Sequence, residues 1–131
     1  MGEETLVESQ IADSTALVRS LDSQGDKPSA ALWHYSPEED EWRFLVAGPS
    51  FDALMPNDTQ GAYQRVVEAL THAQLSMLFI GKVKVVKTDD PMLKATRFMI
   101  KTGPDAIARG YFRDNNVNGV FIKEMLVLRS A

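Results

Sequence analysis

The sequence contains two histidines, His34 and His72, and no cysteine. Imidazole is the side chain whose ordinary pKa lies nearest neutrality, so these two are the first candidates for proton transfer or ligand binding. His34 sits in Ala31-Leu32-Trp33-His34-Tyr35, a strand-like run. Alternation along a strand turns it away from Trp33 and Tyr35. It reads either as a general base or ligand-binding group, in a site near Tyr35 and Trp42, or as a half-exposed strand residue. His72 falls in the last turn of a helix, where a cation suits the helix dipole. With no thiol, cysteine nucleophiles, thiolate metal sites and disulfides are excluded. No His-x-x-x-His, Gly-x-Ser-x-Gly or Gly-x-x-x-x-Gly-Lys pattern occurs. The eight glycines are spread along the chain and form no phosphate-cradling loop.

The densest acidic run is Glu38-Glu39-Asp40-Glu41. Hard cations favour carboxylates, but a calcium loop needs alternating ligands around a central glycine, and this run has neither. It reads as a solvated loop. No metal and no cofactor is expected, and a non-enzymatic role is expected ahead of an enzymatic one.

Charge is more informative by position than in total. The formal net charge is −4. Residues 1–81 carry four basic and thirteen acidic side chains, a net of −9, whereas residues 82–131 carry ten and five, a net of +5. Such asymmetry fits an anion or nucleic-acid surface, acidic helices packed around a basic sheet, or pairing between subunits.

These residues must be positioned by local elements. Leu6, Val7, Ile11, Leu17, Val18 and Leu21 recur at helical spacing, predicting a helix over 4–22 that stops near Gly25 and Pro28. Strands are predicted over 30–35 and 42–47, with a hairpin loop between them. A second helix starts at Asp58 or Thr59, either of which can cap it, and ends near Ala73. The alternating lysines and valines of 81–87 predict a strand at a sheet edge. Asp90-Pro91 is a helix start, with the apolar residues of 92–100 on one face. Part of that segment also suits a strand.

Strands over 107–113 and 117–129 complete a second hairpin. Its turn is expected at Asp114-Asn115-Asn116, with Asn118-Gly119 as an alternative turn or bulge. The basic and aromatic residues of this hairpin are the candidate binding set: Arg109, Tyr111, Arg113, Lys123 and Arg129. Strict alternation separates the apolar row Val120, Ile122, Leu126 and Leu128 from a row holding Phe121, Lys123, Met125, Val127 and Arg129. Cations bind phosphates and aromatic rings stack bases, so an exposed second row would suit single strands. Arg109-Gly110-Tyr111 matches the opening of an RNA-recognition strand motif, which Phe112 and Arg113-Asp114 then break. The same row also reads as a half-buried face covered by another element or subunit.

The order of Ala31-Leu32-Trp33-His34-Tyr35, Trp42-Arg43, Gly61-Ala62-Tyr63, Asp90-Pro91 and Asn118-Gly119-Val120-Phe121-Ile122 is similar to that in small soluble bacterial proteins of unknown function. The resemblance implies a compact α+β domain and carries over no catalytic or binding residue.

With 44% hydrophobic and 24% charged residues in 131, the composition is that of an ordinary globular chain. One α+β domain spanning 1–131 is expected, in the order α-β-β-α-β-α-β-β, with helices packed on one mainly antiparallel sheet. The start is acidic, without the basic and apolar segments of a secretory signal, and no wholly apolar run is longer than that of Met77-Leu78-Phe79-Ile80. A cytoplasmic protein with no membrane partner is therefore expected. Its leading role is contact with other proteins, self-association into a homodimer included. The alternatives are a nucleic-acid or anion-binding module and a small-molecule-binding protein or enzyme near His34.

Overall fold

The computed structural model describes residues 6–131. Five strands form one sheet in the order β3-β2-β1-β5-β4. The strands are β1 (Ala30–Ser36), β2 (Glu41–Ala47), β3 (Val83–Val85), β4 (Gly110–Val117) and β5 (Val120–Ser130). The helices are α1 (Glu8–Ser23), a short α2 (Pro49–Asp52), α3 (Thr59–His72) and α4 (Pro91–Met99), with a 3-10 helix over Met77–Lys82. The α+β class is as expected. Three features differ from the expected order: α2, the 3-10 helix, and a parallel pairing of β3 with β2 that makes the sheet mixed.

α1 buries Ile11, Ser14, Leu17, Val18 and Leu21, one stripe at helical spacing. The expected start at residue 4 lies outside the described residues. Gly25 ends the helix at φ +88°, and the Asp26 N–H donates to the Leu21 carbonyl at 2.9 Å. This left-handed glycine satisfies a carbonyl the helix would otherwise leave open. Asp58 caps α3, its Oδ1 accepting from the Gly61 N–H at 2.9 Å. Asp90 caps α4 in the same way through the Met92 N–H at 2.8 Å, and Pro91 opens the first turn.

The sheet is covered on both faces. On the first, Trp33, Tyr35, Trp42, Phe44, Val46, Leu126 and Leu128 pack with α1 and α3. On the second, Leu32, Leu45, Ile122, Met125 and Val127 pack with Leu93 and Ala95 of α4. The register explains the sorting: Trp33 pairs with Phe44 and Tyr35 with Trp42, so the four aromatic rings share one face.

The C-terminal hairpin turns at Asn118-Gly119, not at Asp114-Asn115-Asn116. Val117 pairs with Val120, and Asn118 and Gly119 take φ +51° and +79°. Two left-handed residues make the tight turn whose twist matches the flanking strands. Asn115 and Asn116 are instead paired within β4. Space is open around a Cβ at Gly119, so Gly119→Ala is expected to cost only the left-handed backbone term, about 1–2 kcal/mol. A lower midpoint of urea unfolding would register it.

Strict alternation in β5 also fails, at two points. Ile122 joins the cluster of Met125 and Val127, a change of phase opposite Asp114, which has φ +52°. Nearer the C-terminus the register with β1 shifts between Ala31 and Leu32. Leu128 is the residue passed over, and Arg129 pairs with Ala31, a residue of the α1–α3 cluster. Such a bulge re-aims the side chain that follows it. Arg129 thereby leaves the row of Met125 and Val127.

Candidate functional site

The second face of the sheet is only partly roofed. α4 packs against β5 and β4. Toward β2 and β3 a groove of about 750 Å³ remains, within the range of small-molecule sites. His34, Arg43, Leu45 and Lys84 line it from the sheet. Register brings them together, since His34 pairs with Arg43 and Leu45 with Lys84. Ser36, Glu38 and Glu39 of the first hairpin stand on one side, and Asp90 and Met92 at the start of α4 on the other. Tyr63 of α3 reaches the same groove around the β3 edge, its hydroxyl accepting the Val85 N–H at 3.1 Å.

Most of the charges here are already engaged. The Arg43 guanidinium donates to Glu39 at 3.4 Å, meets Glu41 at 2.7 Å and donates to the Gly81 carbonyl at 3.0 Å. Asp90 holds the N-terminus of α4. Glu38 accepts a long 3.4 Å contact from the Ser36 hydroxyl. Among the described residues, neither the His34 imidazole nor the Lys84 ammonium has a hydrogen-bond or salt-bridge partner.

His34 is held below its ordinary pKa, first by burial and then by the Lys84 charge; Glu38, Asp90 and Glu39 pull the other way. The folded chain therefore takes up this proton at lower pH than the unfolded chain does. Stability is complete above the unfolded value of 6.5 and is lost as pH falls from there through the folded value. Replacing His34 with glutamine is expected to flatten this slope. Urea unfolding of both proteins at pH values on either side of 6.5 measures the difference.

Tyr35 and Trp42, the expected companions of His34, lie on the opposite face. Both are buried, with ring centroids 5.7 Å apart, and the Tyr35 hydroxyl donates to Asp40. Of those three residues, His34 alone lines the groove. Among the described residues, no hydroxyl nucleophile and no orienting carboxylate is hydrogen-bonded to it. Among the described residues, no group of three His, Asp or Glu side chains could hold a metal ion.

The C-terminal basic set is divided differently from the expected strip. Arg109 Nη1 donates to both carboxylate oxygens of Glu8, at 3.0 and 3.1 Å. Arg113 lies 3.8 Å from Glu124, which also accepts from the Tyr111 hydroxyl. Lys123 faces Asp114 at 3.5 Å. Arg129 is 0% exposed and bound to Asp22 of α1. Every cation of this set thus has a carboxylate beside it.

Lys84, Asp90 and Met92 are groove residues that sequence reasoning does not single out as a site. The Lys-Val alternation places Lys84 on a strand, but its nearness to His34 depends on the parallel β2–β3 register. Among the described residues, no helix is long and apolar enough to cross a membrane. Comparison with protein-family models, with curated proteins and with solved structures finds no match.

Proposed function

We propose that the protein is a binding module that holds a small molecule in the groove over His34 without reacting with it. The observation that carries this reading is the groove itself: about 750 Å³ of space, lined by Leu45, Val83, Val86 and Met92 together with two nitrogen groups that have no hydrogen-bond or salt-bridge partner among the described residues. The His34 imidazole is half-buried at a concave surface, where a ligand can take the place of water beside it.

The test is thermal unfolding in the presence of a library of small soluble fragments. A ligand of the folded state raises the midpoint in proportion to its occupancy. Met92 is half-exposed at the groove wall and packs against the second core cluster, so Met92→Trp narrows the groove, and its own ligand-free midpoint is the reference. Stabilising fragments are expected, and their effect is expected to vanish in Met92→Trp. Fragments that stabilise both proteins equally, or a library without any stabilising member, would contradict the reading.

Contact with other proteins, self-association included, is the second reading. Phe98 supports it: this ring is 73% exposed on α4, beside Lys94 and Arg97. Sedimentation showing a strict monomer across micromolar concentrations removes the self-association part. Nucleic-acid binding by the C-terminal hairpin draws less support, because its cations are already matched by Glu8, Glu124, Asp114 and Asp22.

A further inference from the structure

We propose that the groove selects a small organic anion, a carboxylate or a phosphate monoester with an apolar body, whose charged end sits between Lys84 and His34. This rests on the groove being the binding site, and it adds the chemical class of the ligand.

The argument is one of remaining valence. Arg43 places three of its five N–H donors on Glu39, Glu41 and the Gly81 carbonyl, and its charge faces two carboxylates. Asp90 is committed to the start of α4. Glu38 leans on Ser36 at the exposed rim. Among the described residues, the groove-lining nitrogen groups of the sheet with no hydrogen-bond or salt-bridge partner are the Lys84 ammonium and the His34 imidazole. Lys84 is close enough to His34 to disfavour its protonation. An acceptor group placed between them satisfies both, whereas a cation there would meet the Lys84 charge and turn instead to the rim carboxylates Glu38, Glu39 and Asp90. Leu45, Val86 and Met92 supply an apolar wall for the rest of the molecule.

A consequence follows for protons. The charged groups lining the groove with His34 are Lys84 on β3, Arg43 on β2, Glu38 and Glu39 from the hairpin, and Asp90 at α4; the β5 neighbour paired with it is the uncharged Met125. An anion in the groove offsets Lys84 and favours the imidazolium. Anion binding is therefore coupled to proton uptake at His34.

Four probes of one shape and different charge test this: benzoate, phenyl phosphate, benzamide and benzylamine. Each is titrated into the full-length protein while amide and imidazole resonances are followed by NMR. Benzoate or phenyl phosphate is expected to bind at least about tenfold more tightly than benzamide, a difference well above titration error. The His34 ring is expected to shift toward its protonated form on anion binding, and the stronger of the two anions identifies carboxylate or phosphate as the preferred group. Lys84 is exposed on an edge strand, so Lys84→Met folds and should erase the preference. Benzamide binding in the groove as tightly as the anions, or benzylamine more tightly, overturns the anion assignment and leaves the groove reading standing. No shift at groove residues with any probe overturns both.

Discussion

Replacing Arg129 with methionine is expected to destabilise the fold by about 3–5 kcal/mol, the range for removing one partner of a buried charge pair. Arg129 is fully enclosed by the protein. Its Nη1 and Nη2 bind the two carboxylate oxygens of Asp22, both at 2.9 Å. Its Nε donates to the Ala106 carbonyl at 2.9 Å, and Nη1 also reaches the Pro28 carbonyl at 3.1 Å. The residue therefore ties α1, the segment after it and the approach to β4 onto the last strand. Removing it leaves a carboxylate and two carbonyls without their donor. Lysine cannot reproduce the planar fork, so Arg129→Lys should recover only part of the loss. Replacing Asp22 and Arg129 together with leucine removes the orphaned charge and is expected to cost less than Arg129→Met alone. Urea unfolding measures all three. A loss below about 1 kcal/mol for Arg129→Met would mean that the network contributes no more than a surface ion pair.

Trp33→Ala carries the second large effect, about 3–5 kcal/mol, as expected when an enclosed indole is cut to a methyl group. Trp33 is 0% exposed at the centre of the α1–α3 face. Its ring lies 5.1 Å from Phe44 and 5.9 Å from Phe79, both in tilted or edge arrangements. Its Nε1 donates to the Ser14 hydroxyl at 2.9 Å, and that hydroxyl donates to the Ile11 carbonyl at 2.8 Å. Ser14 is thus the polar residue that lets an indole be buried under α1. Ser14→Ala should cost less, about 1–3 kcal/mol, because it strands only the indole N–H. Total stabilities of domains are about 5–15 kcal/mol, so either large loss brings the chain near its unfolding threshold at ordinary temperature. Thermal unfolding with near-ultraviolet circular dichroism separates loss of packing from loss of helices.

The elements legible in the sequence are those built from local rules. α1, α3 and α4 follow from apolar spacing and from Gly25, Asp58 and Asp90 at their ends. The C-terminal turn shows where local rules stop. Both candidate segments contain residues that tolerate positive φ, and both in fact use it, at Asp114 and at Asn118. Only the pairing of Val117 with Val120 decides which one reverses the chain. The fate of Arg129 was hidden for a similar reason. Its face is set by a bulge in the pairing of β5 with β1, strands nearly the whole chain apart. For the site, alternation separated His34 from Trp33 and Tyr35. It could not reveal that α4 roofs only the β4–β5 side, nor that a parallel β3 brings Lys84 beside the groove. Both depend on contacts between distant segments.

The groove over His34 is most directly tested by a crystal structure of the protein soaked with the fragments that stabilise it. The expected result is ligand density among His34, Lys84, Leu45 and Met92, between the Glu38–Glu39 rim and the start of α4. Density found only elsewhere, for instance against Phe98 on the outer side of α4, with the groove holding solvent alone, would contradict it.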